Sequence, residues 1–527
     1  MRFTTNANVV QPLAATLLSG LLFAGGALAQ VPAQSDLMPI AGPLAAPGDD
    51  DEDPRMEEAR KLLAAGGEGE VNAGRDLCVA MNDQAAADLL LEHLGNMTHN
   101  RGLAPGHYRD IAWEGLIRIT DHYARMRVET ELRKNKQNPW SRMWSAELLG
   151  IYGEKDWGPA LVIALKDKDI WVKRAAARSL GMIKDFEEAQ KPLLKLANHK
   201  DDRLRSNVLE TLARIDPAIH GDAFREAISS DRDGGVRCAL LGASREVLPE
   251  EYEALSAAAL TDEDWRPRLQ AVDNLGLTKT KTAIDRLVEA IEDGRPTVGL
   301  RAVRHLQELT HQPHTRAKAW QNWWRDNRAT FVFPEGTAEK PAPKTEGDSV
   351  AVYNGMRVTS DHVAFLMDRS AAMSEHLNSK GMSKVDASEQ QLGEVLASMP
   401  EGLVFNVFTY ELDVDAFSKK PVKLNAKQAK KALAFVDDQS LRGSKDIWQV
   451  LETVVADPTL DTIYLLSSGE PDTGTYVHWM RVTRHLADLN RFHKVTVHTV
   501  SYSDNKWYRD QLEKIAEVTG GEFKWFE

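Results

Sequence analysis

A period of 31 to 33 residues runs through the middle of this 527-residue chain and restricts the folds open to it. The stretches "SRMWSAELLG", "VKRAAARSLG", "LRSNVLETLA", "VRCALLGASR" and "PRLQAVDNLG" align on a basic residue at Arg142, Lys173, Arg205, Arg237 and Arg268, with Arg301 opening the next unit. Leu149, Leu180, Leu212 and Leu275 stand seven positions after it, and Gly150, Gly181 and Gly276 follow three of these. Asp169, Asp202, Asp233 and Asp264 precede it. Second helical patterns such as "GPALVIALKD", "AQKPLLKLAN" and "KTAIDRLVEA" lie between. A pair of amphipathic helices cannot bury its apolar faces alone, so units of this kind must stack into an α-solenoid. An acid near a helix start suits the positive end of the helix dipole. The recurring arginine is expected to bridge to an aspartate of a neighbouring repeat. Arg109, 33 residues before Arg142, fits one more unit.

These repeats resemble short HEAT repeats, and the resemblance spans roughly half the chain, within 69–327. The array ends in "AWQNWWRDN", where Trp320, Trp323 and Trp324 share one helical face. That face is expected to close the core of the last repeat, because a terminal repeat must cover an apolar surface. His305, His311 and His314 nearby lack regular metal-ligand spacing.

The flanks differ in composition. Residues 1–29 carry Arg2, an apolar core from Leu13 to Phe23 and small residues at Ala27 and Ala29, the pattern of a cleaved secretory signal peptide. An exported chain, periplasmic or extracellular, is expected, with no transmembrane segment after cleavage. Residues 30–68, with "PGDDDEDP", and 328–355, with "FPEGTAEKPAPKTEGDS", read as linkers that offer little apolar surface to offset chain entropy. The net charge of −13 and the absence of a long Lys/Arg block argue against a nucleic-acid partner. Cys78 and Cys238 are too few for a disulfide framework.

From 356 to 527 the pattern changes to alternating strands and helices, which implies an α/β doubly wound domain with a parallel sheet. Ligands in such sheets bind at the carboxyl ends of strands, where Asp368, Ser370, Ser467 and Ser468 fall. With "LMDRSAAM", "LLSSGEPDTG" and "LEKIAEVTGGEF" in this order, the domain resembles a von Willebrand factor A (VWA) domain. The resemblance implies a Mg²⁺ site built from an Asp-x-Ser-x-Ser loop, a Thr from a second loop and an Asp from a third, open to a partner carboxylate. Carried over by position, Asp368 and Ser370 are retained, Ala372 replaces the second Ser, and Ser468 replaces the third loop's Asp. The Thr position falls on Lys445 or on Ser444, depending on whether Trp448 and Leu451 or Gly443 anchor the alignment. A hard dication needs oxygen ligands, so this degenerate set predicts no cofactor, or at most weak Mg²⁺ on Asp368, Ser370, Ser444 and Ser468.

No His-Glu-x-x-His, Gly-x-Ser-x-Gly or phosphate loop is present. The expected function is therefore a non-enzymatic exported scaffold that binds protein partners. The competing expectation is a metal-dependent adhesion module.

Overall fold

The computed structural model describes residues 53–95, 105–134, 138–336, 351–377, 381–469 and 471–526. The expected signal peptide, most of the first expected linker and half of the second lie outside these residues. The chain opens with α1 (Pro54–Leu63), α2 (Glu68–Met81), α3 (Gln84–Gly95) and α4 (Pro105–Arg118). It continues through α5 (His122–Lys134), α6 (Pro139–Tyr152), α7 (Gly158–Ala164), α8 (Ile170–Leu180), α9 (Gln190–Leu194) and α10 (Asp202–Ile215). The array closes with α11 (Pro217–Ser230), α12 (Gly234–Val247), α13 (Tyr252–Ala259), α14 (Trp265–Gly276), α15 (Lys281–Ala290), α16 (Pro296–Thr310) and α17 (Ala317–Asn327). Even-numbered helices from α4 to α16 pack on one another in one row, and odd-numbered helices form the other. Helix α1 corrects the reading of 30–68 as linker throughout. Asp53 caps it, Pro54 starts it, and Met56, Ala59 and Leu63 bury against α2.

The charge pattern of the repeats divides into two jobs. Asp169, Asp233 and Asp264 are N-caps, each accepting a backbone N–H of the first helical turn. The ladder acids are different residues, two positions earlier in those repeats: Arg142 pairs with Asp167, Arg205 with Asp231, Arg237 with Asp262 and Arg268 with Asp293, all at 2.7 Å. In the second repeat the ladder falls on Arg174 and Asp201 rather than on Lys173 and Asp202, and Asp201 also caps α10. The shift has a geometric reason. Each guanidinium binds both carboxylate oxygens, a fork that an ammonium cannot form. The recurrent glycines mark close helix approaches: a Cβ on Gly150 would lie 2.8 Å from Ser179 Cα, and one on Gly276 would lie 2.2 Å from the His305 ring. Leu149, Leu180, Leu212 and Leu275 are buried as the period requires. Trp320 and Trp324 are buried at the end of the array, with Phe331 edge-on to Trp324. Cys78 and Cys238 are buried free thiols.

The C-terminal domain contains β1 (Val352–Tyr353), β2 (Met356–Arg357), β3 (His362–Asp368), β4 (His376–Leu377), β5 (Met382–Ser383) and β6 (Val404–Tyr410). Further along are β7 (Val414–Ala416), β8 (Val422–Lys423), β9 (Thr462–Ser467), β10 (Thr496–Ser501) and β11 (Phe523–Trp525). The helices are α18 (Lys384–Ser398), α19 (Ala426–Asp437), α20 (Ile447–Val455), α21 (Trp479–His493) and α22 (Lys506–Thr519). The main sheet runs β11-β10-β9-β3-β6-β7, with β8 also on β6. Its central pairs are parallel, and only β7 and β8 run antiparallel. Strand order reverses at β3, so the loops after β3 and β9 diverge there and leave a crevice. The β1–β2 hairpin starts ahead of the boundary expected at 356.

Candidate functional site

The crevice at the end of β3 is held by three loops. Ser370 bridges Arg442, Ala371 N donates to Gly443 O, and Arg442 N donates to Arg369 O. The third loop is tied to the second by Asp472, whose Oδ1 accepts the Lys445 N–H at 2.6 Å while its own N–H donates to Lys445 O.

Asp368 ends β3 fully buried. Its Oδ1 accepts the Ser370 N–H at 2.7 Å, and its Oδ2 accepts both the N–H and the hydroxyl of Ser468, at 2.8 and 2.7 Å. Lys445, 4% exposed, sends its ammonium into the same space, 3.1 Å from Ser468 Oγ and 3.9 Å from Asp368 Oδ2. Ser370 Oγ lies 3.3 Å from Ser468 Oγ. Of the two positions the sequence offered in the second loop, Lys445 therefore joins Asp368, Ser370 and Ser468, while Ser444 is only half-buried beside them. Ala372 is likewise half-buried and contributes no polar side-chain atom. Tyr410, buried near Asp368, has its phenol pushed well up by burial and donates to Leu466 O.

A second group with ligand-like spacing, Asp361, His362 and Asp461, lies at the opposite end of β3. There Arg295 of the solenoid already binds Asp461 at 2.6 Å, and Ser360 and Thr462 donate to its other oxygen. Asp461 is thus supplied with a cation by the protein itself.

The larger feature is the face on which the two halves meet. Residue 147 and its equivalents five positions after each basic residue of the repeat are Glu147, Arg178, Glu210, Gly242 and Asp273. Every charged member of this series meets the opposite charge on α21 or its cap. Glu147 pairs with Arg481 at 3.3 Å, Arg178 with Asp488, Glu210 with Arg491, and Asp273 with Lys494 at 2.5 Å. Arg481, Asp488 and Arg491 lie on one face of α21, while Val482, Leu486 and Leu489 are buried. Burial pushes the Glu210 carboxyl up, but Arg214 and Arg491 outweigh it and hold it below the usual range. Burial likewise opposes ionisation of Asp273, which Arg301 and Lys494 hold well below that range.

Backbone contacts extend this face at both ends. Asp110 of α4 accepts the N–H groups of Val477 and His478 at 2.8 Å each and lies 3.5 Å from Arg481. Burial pushes its carboxyl up to about 6 against those partners. Arg109 donates to Gly474 O, Trp265 Nε1 to Pro458 O, and Arg266 to Phe492 O. One apolar cluster continues from the first solenoid repeats into β3, α20 and α21. Arg301, which fits the phase of the repeat, is drawn to this face, where it pairs with Asp273 and approaches Thr496. Sequence reasoning missed the whole interface. Its one signal was the phase-locked series of charges, which matters only beside the charged stripe of α21.

Comparison with known proteins agrees with this architecture. The model of HEAT repeats matches residues 128–213 and 158–244, and that of a von Willebrand factor type A domain matches residues 361–524. Human von Willebrand factor A domain-containing protein 3B is 23% identical over 172 residues, 32% of this chain and 12% of its own length. The chain thus spans only a small part of that relative. Among solved structures, a von Willebrand factor type A protein from Catenulispora acidiphila is 14% identical, with a TM-score of 0.26 over 32% of this chain and 40% of its own. The complex of CpcE and CpcF of phycocyanin lyase from Nostoc sp. PCC7120 is 21% identical, with a TM-score of 0.27 over 31% of this chain and 99% of its own. The chain is a HEAT-repeat solenoid followed by an α/β domain of the VWA type. No helix among the described residues is long and apolar enough to cross a membrane.

Proposed function

We propose that this chain is an exported, non-enzymatic scaffold that binds protein partners without a metal ion, its VWA-type domain held in a fixed pose by the solenoid. The observation that carries this reading is the Lys445 ammonium beside Asp368. Mg²⁺ demands near-octahedral oxygen coordination. Among the described residues the ligand set keeps one carboxylate, its oxygens already accept three hydrogen bonds, Ala372 brings no ligand, and a cation stands in the site. The residues do not fit the ion. A lysine in its place balances Asp368 from within, so the three loops keep their arrangement and their outer surface is available to a partner. Docking of α21 covers the even-numbered row of the solenoid, which directs partners to the loop end of the sheet and to the odd-numbered row. Export is supported by the leader-like pattern of residues 1–29.

Calorimetric titration of the full chain with Mg²⁺ tests the metal-free reading, and no saturable heat is expected. Micromolar binding that Asp368→Ala abolishes would overturn it in favour of a metal-dependent adhesion module. A mature N-terminus at Gln30 in protein from the native source is the expected mark of export, and retention of Met1 would refute it.

A further inference from the structure

The docked face lines a partly open cavity of about 100 Å³ between α6, α8 and α10 of the solenoid and α20 and α21 of the VWA-type domain. Its charged lining does not balance. Arg174 is committed to Asp201, Arg178 to Asp488, and Glu147 to Arg481. Two guanidiniums remain, Arg203 from the solenoid and Arg484 from α21, against one carboxylate, Glu452. Among the described residues neither guanidinium has an ion pair within 4.0 Å, and their near neighbours are aromatic faces. Arg203 lies 5.8 Å from the Trp171 ring centre and Arg484 5.4 Å from that of Trp113. His485 stacks on Tyr476 at 3.8 Å, and its buried Nε2 has no hydrogen-bond partner among the described residues.

Burial pushes Arg484 down to about 10 and Arg203 below its usual range. It also pushes Glu452 up. Arg203, Arg484 and Glu452 are each half-buried, and a partly buried charge without an ion pair is stabilised by a counter-ion that accepts hydrogen bonds. A guanidinium donates two parallel N–H groups to an oxyanion, the geometry for which it is best suited. The cavity exceeds the ~30 Å³ that a water molecule occupies in the liquid. It can therefore hold a small anion or a few waters.

We propose that this cavity is a binding site for a small multivalent oxyanion of the phosphate class, held between Arg203 and Arg484, with His485 Nε2 as a further polar contact. Because the two arginines belong to different domains, the anion bridges them and strengthens docking. Glu147, Glu452 and Asp488 also line the space, and their charge favours an anion that both arginines can reach over one left to a single cation.

The test uses the full chain and inorganic phosphate, with chloride and acetate at matched pH and ionic strength. Phosphate should raise the unfolding temperature saturably above the chloride curve, and calorimetry should give one phosphate per chain. Acetate should do less, since a monovalent carboxylate satisfies one guanidinium. Arg203→Gln with Arg484→Gln should weaken phosphate binding about tenfold or more, while Arg304→Gln, an exposed arginine on α16, should leave it unchanged. Equal curves in phosphate and chloride, with no heat of binding to the wild-type chain, would overturn the proposal even if the double variant failed to fold. So would phosphate affinity that survives in a folded double variant. Acetate binding as tight as phosphate would overturn the bridging of two cations by one multivalent anion.

Discussion

Replacing Lys445 with methionine keeps most of the side-chain volume and removes the charge, which isolates the role of the ammonium at the β3 crevice. Asp368 is fully buried, and Lys445 is the cation that faces it, 3.9 Å from Oδ2. At that separation two unit charges attract by about 4 kcal/mol with an effective dielectric constant of about 20. Part of this is returned in the variant, because the buried ammonium no longer has to be desolvated. The three hydrogen bonds from Ser370 and Ser468 remain and still support the carboxylate. The net loss should be about 2–3 kcal/mol, near the low end of what stranding one partner of a buried pair costs. Urea unfolding of the full chain measures it. Asp368→Asn in the Lys445→Met background should recover at least half of the loss, because the uncompensated charge is then gone and an amide of similar shape remains. A Lys445→Met variant within about 0.5 kcal/mol of wild type would show that the ammonium does not balance Asp368. A double variant no better than the sum of its singles would show the same.

Arg491→Ala should destabilise by about 3 kcal/mol, as expected when one member of a buried pair is removed, and Glu210→Ala in the same background should add little. A double-mutant cycle with no coupling would argue against the docked arrangement. Asp110 has its folded pKa raised to about 6 against an ordinary 3.8, so its ionisation opposes docking at neutral pH, and that penalty is relieved as pH falls from about 6 towards 3.8. Wild type should therefore gain stability relative to Asp110→Asn as pH is lowered from 7 to 4.5, and a pH-independent difference would count against it. Leu212→Ala should cost about 2–5 kcal/mol, as for other buried leucines, and a loss below about 1 kcal/mol would place that side chain outside the core.

The solenoid was legible because its signal is repeated. One leucine or one N-cap aspartate says little, but the same residue types recurring each period fix helix pairs and their stacking. The ladder was legible in kind and wrong in detail. Adjacent basic residues at Lys173 and Arg174 cannot be ranked from the period alone, and only the bidentate geometry selects the arginine. The crevice was legible because β3 and β9 end in a recognisable order of residues. The choice between Ser444 and Lys445 was not, since it depends on a loop whose course is set by the Asp472 contact across the crevice. Docking was hidden for a different reason. Its contacts join residues hundreds of positions apart, such as Arg491 with Glu210 and Val477 with Asp110. No local pattern reports such a pairing.

The interface and the crevice are physically continuous, and this is why the pose of the VWA-type domain matters. Asp110 grips the backbone of Val477 and His478 just before α21 begins, and Arg109 holds Gly474 O. A Cβ on Gly106, at the start of α4, would lie 2.2 Å from the Val477 side chain, so the approach there needs a glycine. These contacts fix the far end of the loop that starts at Ser468 and carries Asp472. Asp472 in turn holds the backbone of Lys445, whose ammonium faces Asp368. The first half of the solenoid therefore restrains the third loop of the crevice from behind, while Ser468 restrains it from inside. A partner that shifted α4 would have to strain that loop, and a partner seated on the loops would press against α4.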